Sequence, residues 1–208
     1  MKQIFYFSVP LFLLIISCNS SEKSSEVNDS LQKDSLKKSI LLNDKALLLL
    51  SQDSSKIDSA LILANRSIEF NPANVIAHTN KLNWLCNNNE FEKAYQEVQI
   101  LDKLSPGNPE TILLYGLLAE RLNKADIAKA KYKEAFVLND KSFKAMDSDG
   151  KTFQLARANW ASSLYFFDED KGLAEFKRIR SEYPENTIAA NFLNKSRDEL
   201  ITQVIRKR

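Results

Sequence analysis

The chain has 208 residues, and its 29 Lys and Arg stand against 27 Asp and Glu for a formal net charge of +2. That balance offers no basic footprint for nucleic acid. One histidine, His78, excludes a His-rich metal site and argues against hydrolase triads, and the carboxylates are dispersed without any pairing for acid-base work, so catalytic residues, metal ligands and cofactors are not expected. With four glycines in the whole chain and no alternating strand pattern, the reading is all-α.

In chain order, the first element is an apolar run from Ile4 to Ile16, thirteen residues preceded by Lys2. A membrane-spanning helix needs about 20 apolar residues, so 1–17 reads as a secretory signal. The run closes on Ile15-Ile16-Ser17-Cys18, which resembles the bacterial lipobox. The resemblance implies cleavage before Cys18, lipidation of that residue and firm anchoring by several acyl chains. Asn19 in place of Asp after the cysteine implies the outer membrane. Residues 18–38, Ser-rich and polar at their start, are expected to form a flexible tether. With Cys18 lipidated, Cys86 is the remaining thiol and reads as a small buried or groove-edge residue.

From residue 39 the chain repeats itself. Ala60, Ala94 and Ala128 stand 34 residues apart, as do Pro72 and Pro106. A period of that length marks a solenoid of paired helices. The small residue opens a second helix at a close crossing, and proline, which cannot continue a helix, closes the unit. Four units follow: 41–74, 75–108, 109–142 and 153–186, with an insertion at 143–152 because Pro106 and Pro184 lie two periods plus ten residues apart. Asp140 replaces the closing proline of unit three, while Leu48, Leu82 and Trp160 occupy the usual small position of the first helix. Residues 187–208 read as one further capping helix with Ile188, Phe192, Leu193, Leu200 and Val204 on its apolar face.

Unit three carries Tyr115-Gly116, Ala128, Tyr132 and Ala135 at the spacings of the tetratricopeptide-repeat (TPR) consensus, and the chain resembles a TPR protein. The resemblance implies a right-handed all-α TPR solenoid whose concave face, built mainly from the first helix of each unit, holds another protein or a peptide. Carried over position by position, it names Lys45 in unit one; Thr79, Asn83 and Asn87 in unit two; Leu117 and Arg121 in unit three; and Gln154, Arg157, Ala161, Leu164 and Tyr165 in unit four. Arg121, Arg157 and Tyr165 are the expected hot spots. A carboxylate clamp of the family type is not expected, since Lys45 and Asn80 match two of its positions but Leu49, Glu110 and Leu114 occupy the others.

Three strings invite a chemical reading. Ala145 to Thr152 fits a relaxed Walker A pattern, yet it follows a helical repeat and carries Asp147 and Asp149, so nucleotide binding is not expected. Asp147-x-Asp149-Gly150 lacks the further acidic ligands of a calcium loop. Trp84, Trp160 and Tyr165-Phe166-Phe167 stand at helical spacing and read as packing ahead of ligand stacking, and His78 occupies a position where the family packs an aromatic. The functional expectation is a membrane-anchored TPR adaptor or scaffold of the bacterial envelope, with a protein partner, no nucleic acid and no nucleotide. The alternative is a permanent subunit of an outer-membrane assembly complex, suggested by the resemblance of 176–186, with Tyr183-Pro184-Glu185-Asn186, to the TPR lipoprotein of the β-barrel insertion machinery.

Overall fold

The computed structural model describes residues 21–146 and 150–206, and side chains over 30–146 and 152–206. Cys18 lies outside the described residues. Ten helices and no strand occur among them: α1 (Ser21–Gln52), α2 (Ile57–Phe70), α3 (Val75–Asn87), α4 (Phe91–Leu104), α5 (Pro109–Arg121), α6 (Ala125–Lys144), α7 (Gly150–Phe167), α8 (Glu169–Glu182), α9 (Thr187–Asn194) and α10 (Arg197–Arg206). A 3-10 turn at Ser54–Lys56 joins α1 to α2. Consecutive helices pack on one another from α1 to α9, as a stack of antiparallel pairs requires. The fold is an all-α TPR solenoid.

Each unit is punctuated by local chemistry that the sequence spells out. The asparagine of every Pro-x-Asn caps the next helix: Asn74 Oδ1 accepts from Ala77 N at 3.1 Å, Asn108 from Glu110 N and Thr111 N at 3.0 and 3.1 Å, and Asn186 from Ala189 N at 2.9 Å. The turn within units two and three is made by Asn89 and Asn123, one period apart and both left-handed, with φ of 60° and 58°. Around each, an amide bonds back across the turn, Glu90 N to Leu85 O and Lys124 N to Ala119 O, which closes the preceding helix as a Schellman motif. Units one and four use a capping carboxylate instead, Asp53 and Asp168.

The small residues meet close crossings. Ala60, Ala94 and Ala128 are buried, and a Cβ at Gly116 would come within 2.6 Å of the Tyr132 ring. One continuous core extends from Leu82 in α3 to Ile205 in α10, and a smaller one around Ala46, Ala60, Ala64 and Trp84 closes the N-terminal end. Phe192 is the aromatic hub of the C-terminal end, with ring centroids 4.4 Å from Phe176 and 5.1 Å from Tyr165.

Three segments depart from the sequence expectation. Helix α1 begins at Ser21, within the expected tether, and is docked from Ser35 onward: Ser35 Oγ donates to Phe70 O at 2.6 Å, and buried Ser39 bonds Ser67 and Asn74. Ser35, which reads as solvated linker, and Ser39 at the start of the repeats here serve as small contact residues that let α1 lie close to α2. Of the insertion, 143–144 extend α6 and 150–152 open α7. Without proline at 140, α6 runs on to Lys144, and the freed Asp140 carboxylate accepts the Trp160 indole N–H at 3.0 Å. Two departures from the repeat pattern thus answer one another across α6 and α7. Finally, the expected capping helix is two helices, broken at Lys195–Ser196.

Candidate functional site

The first helices of the units line the inner face of such a stack, and the chain itself occupies part of that face. After the break at Lys195, in extended conformation, α10 turns back and packs on α3 and α5 rather than continuing from α9. Leu200, Ile201 and Ile205 are buried against the core there. Its start is a capping box: Ser196 N donates to Glu199 Oε2 at 2.8 Å and Glu199 N to Ser196 Oγ at 3.3 Å. That Ser-x-x-Glu signal stands in the sequence and could have located the break. The direction α10 takes afterwards has no such signal.

Arg197 pins the helix. Its guanidinium donates Nε to Glu120 Oε1 at 2.8 Å and Nη2 to Glu120 Oε2 at 2.9 Å, a bidentate fork, and Nη1 reaches Glu169 Oε2 at 3.3 Å. The charge lies over three rings, Tyr132, Tyr165 and Phe166, at 5.4–5.7 Å from their centroids. Tyr132 completes the box by donating to Glu120 Oε2 at 2.6 Å. Burial pushes the Glu120 carboxyl up, but the Arg197 and Tyr132 hydrogen bonds outweigh it and hold the group below the usual carboxylate range. Burial and the Glu120 contact push the Tyr132 phenol well above its usual value. At the far end of α10, Arg206 donates to Asn89 Oδ1 at the turn after α3.

Alongside α10 a cleft of about 380 Å³ stays open between α5, α7, α9 and α10. Its apolar lining includes Leu113, Phe166, Ile188, Phe192 and Val204, and its polar lining is largely uncharged, with Asn159, Ser162, Asn191 and Gln203.

The sequence-named groove residues divide accordingly. Lys45 and Asn87 are exposed, Asn83 is half-buried, and exposed Thr79 donates its hydroxyl to Val75 O at 2.8 Å. Arg121 faces α10, donating to Asp198 Oδ1 at 3.2 Å and lying over the Phe91 ring. Leu117 is fully buried in the core. The unit-four assignments are corrected. Arg157 points at its own partner helix, where its guanidinium bonds Glu175 Oε1 at 2.7 Å and Glu182, and Tyr165 is only 2% exposed, packed against the backbone of Gly172. The α7 residues that reach the cleft are Asn159, Ser162 and Phe166.

The reason for that rotation is Trp160. In unit three the close crossing falls at Gly116, whereas Trp160 stands at the matching place in unit four, stacked on Phe143 at 5.1 Å and bonded to Asp140. That ring is turned toward α6, and the close approach of α7 to α8 falls five residues on, at Tyr165 and Gly172. Of the Walker-like string, Asp147 to Asp149 lie outside the described residues; α6 ends at Lys144 before them and α7 begins at Gly150 after them.

His78 is a buried core residue in an ionic cluster. Nδ1 bonds the Glu97 carboxylate, Nε2 bonds Pro72 O at 3.0 Å, and Lys81 Nζ reaches Glu97 Oε2 at 2.7 Å. Both ring nitrogens face acceptors, an arrangement that favours the doubly protonated ring. Burial pulls the His78 pKa down, yet the bonds to Glu97 and Pro72 leave it above its ordinary value, while Glu97, raised by burial, is lowered on balance by His78 and Lys81.

No protein-family model matches the chain, and no curated protein matches it by sequence. Solved structures do match the fold. YrrB, described as a TPR protein with an unusual peptide-binding site, aligns over 91% of this chain and 84% of its own, with 16% identity and a TM-score of 0.51. A tetratricopeptide repeat protein from Parabacteroides merdae aligns over 83% of this chain and 68% of its own, with 20% identity and a TM-score of 0.51.

Proposed function

We propose that the protein is a lipid-anchored adaptor of the bacterial envelope, tethered through Cys18 to the outer membrane, which holds a segment of another protein on its concave face. The observation that carries the binding role is the cleft beside α10, with its apolar lining and an amide-rich rim on which Glu110 is the one charged side chain. Apolar pockets flanked by a few convergent polar groups are where binding concentrates, and amide side chains match the donors and acceptors of a peptide backbone. YrrB, alike in fold, is described as binding peptide, which supports the same mode here. The lipobox-like end of the apolar run supports the anchor.

The test has two arms. Cys18→Ala in the native host should abolish incorporation of a labelled fatty acid, and labelling that persists sinks the anchor. Co-purification of the full protein in mild detergent, followed by mass spectrometry, should return a partner that Leu113→Glu with Asn159→Lys loses. Lys177→Ala with Arg180→Ala, on the exposed surface of α8, should keep it. A partner retained by the cleft pair and lost by the α8 pair refutes the site. A partner of fixed stoichiometry that never exchanges marks the constitutive-subunit reading instead.

A further inference from the structure

Helix α10 shows what the inner face accepts. It is a ten-residue amphipathic helix whose Leu200, Ile201 and Ile205 enter the core between α3 and α5, and whose Arg197, one turn earlier, is received by Glu120 and Glu169. We propose that α10 is an internal occupant of the partner-binding face, and that the partner segment is an amphipathic helix of the same pattern. That pattern is an arginine three and four residues ahead of an adjacent apolar pair, with a third apolar residue four beyond. The partner helix displaces α10 about Lys195–Ser196. The proposal rests on the reading that the concave face binds protein, and it assigns that face its ligand.

Four features make α10 removable where the other helices are not. A helix this short is marginal on its own, so its order depends on the contacts it finds. It is joined by a two-residue break, with Lys195 extended. Away from Arg197 its polar ties lie at the surface, Asp198 to Arg121 with side chains 80% and 35% exposed and Arg206 to Asn89, and such ties contribute little. One flank borders the open cleft, where half-buried Gln203 and Val204 form a wall. In a stack where each unit is held by its neighbours, α3 and α5 keep their packing on α2, α4 and α6 when α10 leaves.

The experiment uses the α10 sequence itself as the probe. A fluorescein-labelled peptide of residues 195–206 is titrated by anisotropy into the full protein and into full-length Ile201→Asp/Ile205→Asp, whose own α10 is evicted. The peptide should saturate the variant and bind wild type at least about tenfold more weakly, because only the open fraction of wild type is competent. An Arg197→Glu peptide should lose about tenfold on the variant. Hydrogen exchange on wild type should show α10 amides exchanging at least about a hundredfold faster than those of Leu117 and Leu118 in α5, as local opening requires. A variant that stays helical by circular dichroism and ignores the peptide overturns the proposal, as does equal binding to both proteins or an α10 that exchanges only with global unfolding. Should the double variant unfold, Arg197→Ala replaces it in the titration, and the exchange measurement on wild type stands beside it. A wild-type dimer built by exchanged α10 helices overturns the external partner. Loss of the native partner in the cleft variants, without trans binding of the peptide, sinks this proposal and leaves the adaptor reading standing.

Discussion

Gly172→Ala separates the repeat pattern from the structure, because the two give opposite answers. Ala60, Ala94 and Ala128 occupy the matching position in units one to three, so the pattern alone recommends alanine at 172. Intrinsic propensity agrees, favouring Ala over Gly inside a helix by about 1 kcal/mol. In the structure, however, a Cβ on Gly172 would sit 2.3 Å from Tyr165 Cα and 2.6 Å from its N and Cβ. Comfortable carbon contacts lie at about 3.5–4.0 Å, so α7 and α8 would have to part by more than an ångström. The obstacle is backbone, which no rotamer change can clear. Overpacking of this kind costs about 1–3 kcal/mol, and contact with backbone puts the cost at the top of that range. Against the propensity gain the net loss is about 2 kcal/mol, which for a chain of this size lowers Tm by about 4–8 °C. Thermal melts followed by circular dichroism at 222 nm, with urea midpoints alongside, measure it. Lys177→Ala on the exposed side of α8 is the control and should stay within about 0.5 kcal/mol of wild type. A Gly172→Ala protein as stable as wild type, or more so, would refute the close crossing of α7 and α8 at Tyr165 and Gly172.

The His78 cluster gives stability a pH dependence of known sign. Because the folded-state pKa of His78 is raised, its contribution is complete below the ordinary imidazole value and is lost as pH rises through the raised one. Urea midpoints should therefore fall as pH rises above the ordinary imidazole range, and His78→Phe should flatten that slope. Glu97→Leu, which leaves the imidazolium and Lys81 without their carboxylate, should cost about 3 kcal/mol at pH 6 in the same assay. Asp140→Ala strands the partly buried Trp160 indole N–H and should cost about 1–3 kcal/mol by urea unfolding, with Asp140→Asn recovering most of it. Arg157→Ala should destabilise by about 3 kcal/mol through loss of the Glu175 and Glu182 pair, and lower partner capture only as far as it lowers the folded fraction.

What the sequence by itself determined is whatever is written within a turn or two of the chain. The 34-residue step, the Pro-x-Asn stops and caps, the alanines at crossings and the burial of His78 and Cys86 all depend on near neighbours and on a repeated unit, so the pattern reports them directly. The Ser196 capping box belongs to the same class and marks where α10 begins. Where α10 goes is a different matter. The contacts that hold it join residues 77 positions apart, Arg197 to Glu120, and 117 apart, Arg206 to Asn89. Its apolar spacing fits a cap on the last repeat equally well. The face that α7 shows to the cleft was likewise decided by packing, since Trp160 had to find room beside Asp140 and Phe143, and the whole helix turned with it. Periodicity places a residue within its own unit, and only the volumes and charges of the surrounding helices decide which surface that residue finally meets.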